Sequence, residues 1–198
     1  MGRLNDRYNF SLPPLKVEYQ SKDAVDQLSQ HLAERFRLKT IDQELVILCI
    51  GTDRSTGDSL GPLVGSKLKS FYPENLHIYG TLEEPVHAVN LVDKLQMITK
   101  NHDNPLIIAI DACLGQFSSV GFINVADGPI KPGAGVKKEL PAVGTFHITG
   151  IVNVGGFMEY FILQNTRLFV VMSMAEIISS SIYKASLQMV TNRQTWSL

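Results

Sequence analysis

The sequence predicts an α/β fold in which a mainly parallel sheet lies between two layers of helix. Two observations carry this. The runs "ELVILCIG" and "PLIIAIDACLG" are continuously apolar, as strands covered on both faces are. Segments with helical spacing stand between such runs, and alternation of strand and helix is the pattern of a three-layer parallel architecture. The chain has 198 residues, of which 44% are hydrophobic and 19% charged, so it can bury a core of its own as one domain.

Each element follows from its residues. Residues 1–20 read as an N-terminal arm, because Pro13 and Pro14 discourage helix. Residues 21–198 read as the α/β domain. Within it, Ser21 caps a helix whose apolar positions are Ala24, Val25, Leu28, Leu32 and Phe36. Strand 45–50 follows, then helix from "SLGPLVGSKLKSF", strand "LHIYGTL", helix "AVNLVDKLQMITKN" and strand 106–110. The stretch 119–126 alternates apolar and small or polar residues, which predicts an antiparallel strand exposed on one face. Residues 127–144 are rich in Gly and Pro and predict a long loop. Residues 145–156 fit strand by their β-branched content but have no clean boundary. A short helix at "FMEYFILQN", strand 168–173 and a final helix complete the expectation. That gives a five-stranded mixed sheet, with 45–50, 106–110 and 168–173 central and helices on both faces.

Composition excludes several classes of function. A net charge of -1 and a pI near 6.5 provide no field for nucleic acid or an anionic membrane. No apolar stretch reads as a membrane span, and the N-terminus lacks the apolar core of a signal peptide. It starts Met-Gly, yet Asp6 stands where a myristoylation signal needs Ser or Thr. The two cysteines, Cys49 and Cys113, read as reduced thiols. The expected location is cytoplasmic.

In parallel sheets, sites form beyond the carboxyl ends of strands. Asp53 and Asp58 follow strand 45–50, and Asp111 closes strand 106–110. Two carboxyls brought together there can share a proton and activate water, or bind a divalent cation. Asp58 by itself reads equally as a helix cap, whereas an acid ending "LIIAID" needs a partner or a role. Arg54, Ser55 and Thr56 lie near a helix start, but the loop lacks the Walker lysine and GxGxxG spacing, leaving turn and capping roles. His147, in "GTFHITG", is the histidine of interest. His31, His77 and His102 fall at solvent-facing positions or element ends. Glu83 and Glu84 also follow a strand and can add negative field. Cys113 is a candidate nucleophile with His147, or a thiol that fills space.

The motif "IGTDRSTGDSLGPLVG", supported by "AIDACLG", "IKPGAG" and "FHITG", resembles the YyaC family of sporulation proteins over roughly residues 40–190. Two further groups are distantly similar and share a phosphorylase/hydrolase-like fold. In the spore germination protease, motifs similar to "GDSLGP" and "AIDA" each supply an aspartate, matching Asp58 and Asp111, and a Pro-Gly-rich segment resembles "IKPGAGVKKEL". Hydrogenase maturation endopeptidases carry two acids matching Asp58 and Asp111 and a histidine matching His147, and there the three ligate nickel of the substrate. The resemblance implies strand order 2-1-3-5-4 and a peptidase-like site with Asp58 and Asp111 catalytic. It implies that Asp58, Asp111 and His147 bind zinc or nickel weakly, with no tightly bound cofactor. Arg54 would hold the loop or a substrate carboxylate, with Glu83 and Glu84 beside it. The implied partner is a spore protein or peptide in the sporulating cell or forespore. The implied activity is that of an endopeptidase in sporulation or germination. The alternative is a non-enzymatic module that binds a protein or peptide in the same cleft.

Overall fold

A computed structural model describes residues 12–40, 42–133 and 140–194. Residues 1–11 of the expected arm and residues 134–139 of the Pro-Gly-rich loop lie outside the described residues. Elements run in the order β1 (Leu15–Glu18), α1 (Ala24–Arg37), β2 (Leu45–Cys49), α2 (Leu60–Ser70), β3 (His77–Tyr79) and α3 (Leu91–Asn101). They continue with β4 (Leu106–Gly115), β5 (Phe122–Asp127), β6 (Phe146–Val154), α4 (Glu159–Gln164) and α5 (Leu168–Gln194).

The sheet has six strands in the order β1-β5-β6-β4-β2-β3, which replaces the expected five-stranded sheet of order 2-1-3-5-4. Three assignments account for the difference. Leu15–Glu18, inside the segment read as an arm, pairs antiparallel with β5 as an edge strand. Residues 168–173, expected as a central strand, form the first turns of α5. The run "RLFVVMS" is apolar enough for strand, but Val171, Met174, Ala175, Ile178, Ile182 and Ala185 are all buried at helical spacing. The periodicity continues unbroken into the final helix and overrides the β-branched content of its start. The vacated central position is filled by β6, parallel to β4 and antiparallel to β5.

Side chains of β2 alternate between the two faces of the sheet. Leu45, Ile47 and Cys49 join the core beneath α1, α2 and α5, while Val46, Leu48 and Ile50 join a smaller core with Leu91 and Ile98 of α3. Both faces are therefore covered, and all five β2 residues are buried. This coverage is why β2 and β4 read as unbroken apolar runs. One segment, Leu168–Met189 in α5, is long and apolar enough to cross a membrane by length and composition, contrary to the expectation. Its buried positions nonetheless pack in the larger core against the sheet and α2.

A buried cation ties α1 to the end of β5. Arg35 is 4% exposed and pairs through Nη1 with Asp127 at the end of β5. Its Nε donates to His31 Nε2 at 3.0 Å, and its guanidinium lies 5.1 Å from the Phe146 ring centroid. Burial, then the Arg35 charge, lowers the His31 pKa, consistent with a neutral ring that accepts this hydrogen bond. Removing the carboxylate leaves a buried guanidinium short of its charged partner. Asp127→Ala is expected to cost about 2 kcal/mol in denaturant unfolding, within the usual range for a hydrogen bond to a charged group.

Candidate functional site at the carboxyl ends of the central strands

The loop after β2 is shaped by two close backbone approaches. Gly51 has φ +142°, and a Cβ there would lie 1.9 Å from the Asp58 carbonyl oxygen. A Cβ on Gly61 would lie 2.1 Å from the Ile50 carbonyl oxygen. Glycine at both positions lets the first turn of α2 seat directly on the end of β2. Thr52 N–H donates to the Asp58 carbonyl at 3.1 Å, closing the loop onto itself. A short 3-10 turn, Gly57–Ser59, leads into α2 and carries Asp58.

β4 runs beside β2, with Ile110 opposite Cys49 and the Ile110 carbonyl accepting from Ile50 N–H at 2.7 Å. The next residue is Asp111, which is 7% exposed. Asp58 and Asp111 thus line one cleft of about 260 Å³ at the carboxyl edge of the sheet. Burial raises the Asp58 pKa. Burial, and then the negative charge of Asp58, push Asp111 well above the usual carboxylate range, against the Ala112 N–H that donates to its Oδ1 at 2.9 Å. The charge of Asp58 makes ionisation of Asp111 harder, the electrostatics that favours one proton held between two carboxyls.

The remaining candidates separate on geometry. Arg54 lines the cleft from an exposed position on the loop, and Asp53 beside it is exposed outside the lining. Ser55 also lines the cleft. Its Oγ is buried and has no hydrogen-bond partner among the described residues, so it is available to a bound molecule. His147 stands opposite Ala109, two strand pairs before the Thr149 that faces Asp111. Its Nδ1 lies 2.9 Å from the Gly128 carbonyl, and it is not among the lining residues. Glu83 and Glu84 sit exposed on a turn, also outside the lining, where Glu84 N–H donates to Thr81 Oγ1 at 3.1 Å. Burial pushes the Cys113 thiol up to about 11 and disfavours the thiolate a nucleophile needs. Burial likewise raises the Cys49 thiol.

Two cleft residues were missed in the sequence. His87 follows β3, and Val86 beside it bridges to Ile50, which delivers the imidazole to the same edge. Its Nδ1 accepts from Val89 N–H at 3.3 Å, leaving Nε2 to carry the proton of the neutral ring. Its place after a strand was the available signal. Tyr160 comes from α4 across the cleft and is 62% exposed. No periodicity could have shown that α4 folds back over the loop.

A second group lies at the opposite, amino-terminal ends of the strands. His102, expected at a solvent-facing position or an element end, caps the end of α3 and is 7% exposed, against Glu44 and Tyr79. With His77 and Glu44 it forms a cluster able to coordinate a metal ion, with one potential ligand atom from each residue and all three within 4.8 Å of one another.

Comparison with known proteins places the chain in a family. Residues 16–181 match the family described as "Protein of unknown function (DUF1256)". The chain is 53% identical over 180 residues to the "Uncharacterized protein YyaC" of Bacillus subtilis (strain 168), covering 91% of this chain and 84% of that protein. Among solved structures it is similar to the [NiFe] hydrogenase maturation protease HycI from Thermococcus kodakarensis KOD1. That likeness has a TM-score of 0.48 and 18% identity, over 76% of this chain and 97% of the other. With a profile match across most of its length and a relative sharing half of its residues, the chain belongs to the YyaC family.

Proposed function

We propose that the chain is an endopeptidase-like hydrolase that acts on a polypeptide in sporulation or germination, with Asp58 and Asp111 activating water. The observation that carries this reading is the pair of carboxyls that line one cleft at the sheet's carboxyl edge, both raised by burial and Asp111 further by the charge of Asp58. Asp58, the less elevated of the two, serves as the base, and Asp111 holds the proton. Water gives a proton to Asp58 as its oxygen adds to the peptide carbonyl carbon, and the carbonyl oxygen takes the proton of Asp111. On collapse a hydroxyl of the tetrahedral adduct returns a proton to Asp111, the C–N bond breaks, and the leaving nitrogen takes the proton held by Asp58. Both carboxyls end as they began. The His87 Nε2–H and the Ser55 hydroxyl are donors for the substrate backbone, and Arg54 at the mouth suits a substrate carboxylate.

A polypeptide substrate fits the rim. Phe157, Met158 and Phe161 lie close in sequence to Tyr160 of the cleft lining and are 98%, 71% and 56% exposed, apolar groups on the segment that supplies Tyr160. The motif resemblance to the spore germination protease points to a spore protein. The same rim favours the second reading, a module that binds such a protein without cutting it.

Zinc or nickel held by Asp58, Asp111 and His147 would be weak. His147 Nδ1 is occupied by the Gly128 carbonyl, and its strand register sets it two pairs before Asp111. Incubation of the purified protein with spore protein extracts tests both readings. Cleavage by the wild type that disappears in Asp58→Asn and Asp111→Asn supports the hydrolase. Cleavage unchanged in both variants overturns the aspartate mechanism. A partner retained by the double variant, with no processed product from the wild type, supports the binding module instead.

A further inference from the structure

We propose that Glu44, His77 and His102 form a zinc site that clamps the edge of the sheet to the end of α3. Glu44 directly precedes β2, His77 opens β3 opposite Val46, and His102 follows the last residue of α3. The two carboxylate oxygens of Glu44 reach different rings. Oε2 lies 2.7 Å from His102 Nδ1 and Oε1 lies 3.4 Å from His77 Nε2. The ring centroids are 4.4 Å apart. Two imidazole nitrogens and one carboxylate oxygen, converging from three elements, are a donor set that suits a borderline ion such as Zn²⁺ and leaves a fourth position for water.

The surroundings favour a metal over a simple hydrogen-bonded group. His77 and the Glu44 side chain are 43% and 42% exposed, so an ion can enter from solvent, while His102 is held from behind. Tyr79 Oη lies 2.8 Å from His102 Nε2. A hydroxyl both donates and accepts, so Tyr79 supports either tautomer of the ring. Without metal, Nδ1–H donates to Glu44 and Nε2 accepts from Tyr79. With metal, the proton resides on Nε2 and donates to Tyr79, freeing the Nδ1 lone pair for the ion. An outer partner that fixes the ligating tautomer is a usual companion of a metal-bound histidine. The three residues lie at the strand ends opposite Asp58 and Asp111, so this site stands apart from the proposed hydrolase cleft.

Calorimetric titration of chelator-treated full-length protein with ZnCl₂ tests the site. One zinc per chain is expected, with affinity reduced at least ten-fold in His77→Ala and in Glu44→Gln. Both changes are at partly exposed positions, so the fold, checked by circular dichroism, is expected to survive. Asp58→Asn with Asp111→Asn leaves the titration unchanged. Nitrogen-15 NMR of the ring should show His102 protonated at Nε2 only after zinc is added. Absence of zinc binding overturns the proposal, as does binding unaffected by His77→Ala and Glu44→Gln. Binding lost in Asp111→Asn or His147→Ala but kept in His77→Ala assigns the ion to the other end of the sheet and also overturns it.

Discussion

Asp111→Asn is expected to abolish peptide cleavage while making the folded protein more stable at neutral pH. The first effect follows from removing the group proposed to protonate the scissile carbonyl, a loss of about 100- to 10,000-fold in rate. The second follows from burial. Asp111 has its pKa raised in the fold by desolvation and by Asp58. Between the ordinary carboxylate pKa and this raised value, the folded state keeps a proton that the unfolded chain has lost. Wild-type stability therefore falls as pH rises through that window. Asparagine has no such proton, so the variant's advantage is absent below the ordinary carboxylate pKa and grows as pH increases. An advantage of about 0.5–2 kcal/mol fits the usual trade between activity and stability. Urea unfolding of both proteins across the acid-to-neutral range checks the sign. A variant less stable than wild type throughout would show that Asp111 is a structural acid.

Gly51→Ala is expected to be the most damaging single methyl group in the loop. The added Cβ meets the Asp58 carbonyl oxygen at 1.9 Å and Pro62 Cδ at 3.0 Å, on a backbone whose φ of +142° disfavours any side chain. The loop cannot yield easily, because Gly51 N–H donates to Val86 O at 2.8 Å and Thr52 N–H donates to Asp58 O at 3.1 Å. A cost of about 4 kcal/mol is expected, combining backbone strain with a collision between main-chain atoms. The movement that relieves it carries Asp58 away from Asp111, so activity falls with stability. Gly128→Ala is the control: its φ is +84° with nothing among the described residues within 4 Å of the added carbon, so strain dominates, at about 1–2 kcal/mol. Equal losses in the two variants, measured by thermal unfolding, would refute the packing account of Gly51.

The parts of this fold that are plain in the sequence are those where one physical effect dominates. β2 and β4 are buried on both faces, so their apolar runs are unambiguous. The start of α5 misled because β-branched content and helical period compete there, and period wins over 27 residues. β1 spans four residues with only Val17 buried, too short a pattern to distinguish from an arm. Asp58 and Asp111 were readable as candidates because strand ends in such sheets converge. His147 falls outside the cleft lining, because strand register, which sets it opposite Ala109, decides which side chains meet. The Glu44, His77 and His102 cluster was invisible for the same reason. Only the pairing of β2 with β3 and the return of α3 to the sheet bring these residues together.

Carbon-13 NMR titration of the aspartate carboxyls, in wild type and in Asp58→Asn, tests the shared-proton pair most directly. The account predicts that Asp111 titrates well above the ordinary carboxylate range and above Asp58. It also predicts that Asp58→Asn brings Asp111 down, though not to its ordinary value, because burial remains. An Asp111 that titrates as an ordinary surface carboxylate, or that does not respond to the loss of Asp58, would contradict it.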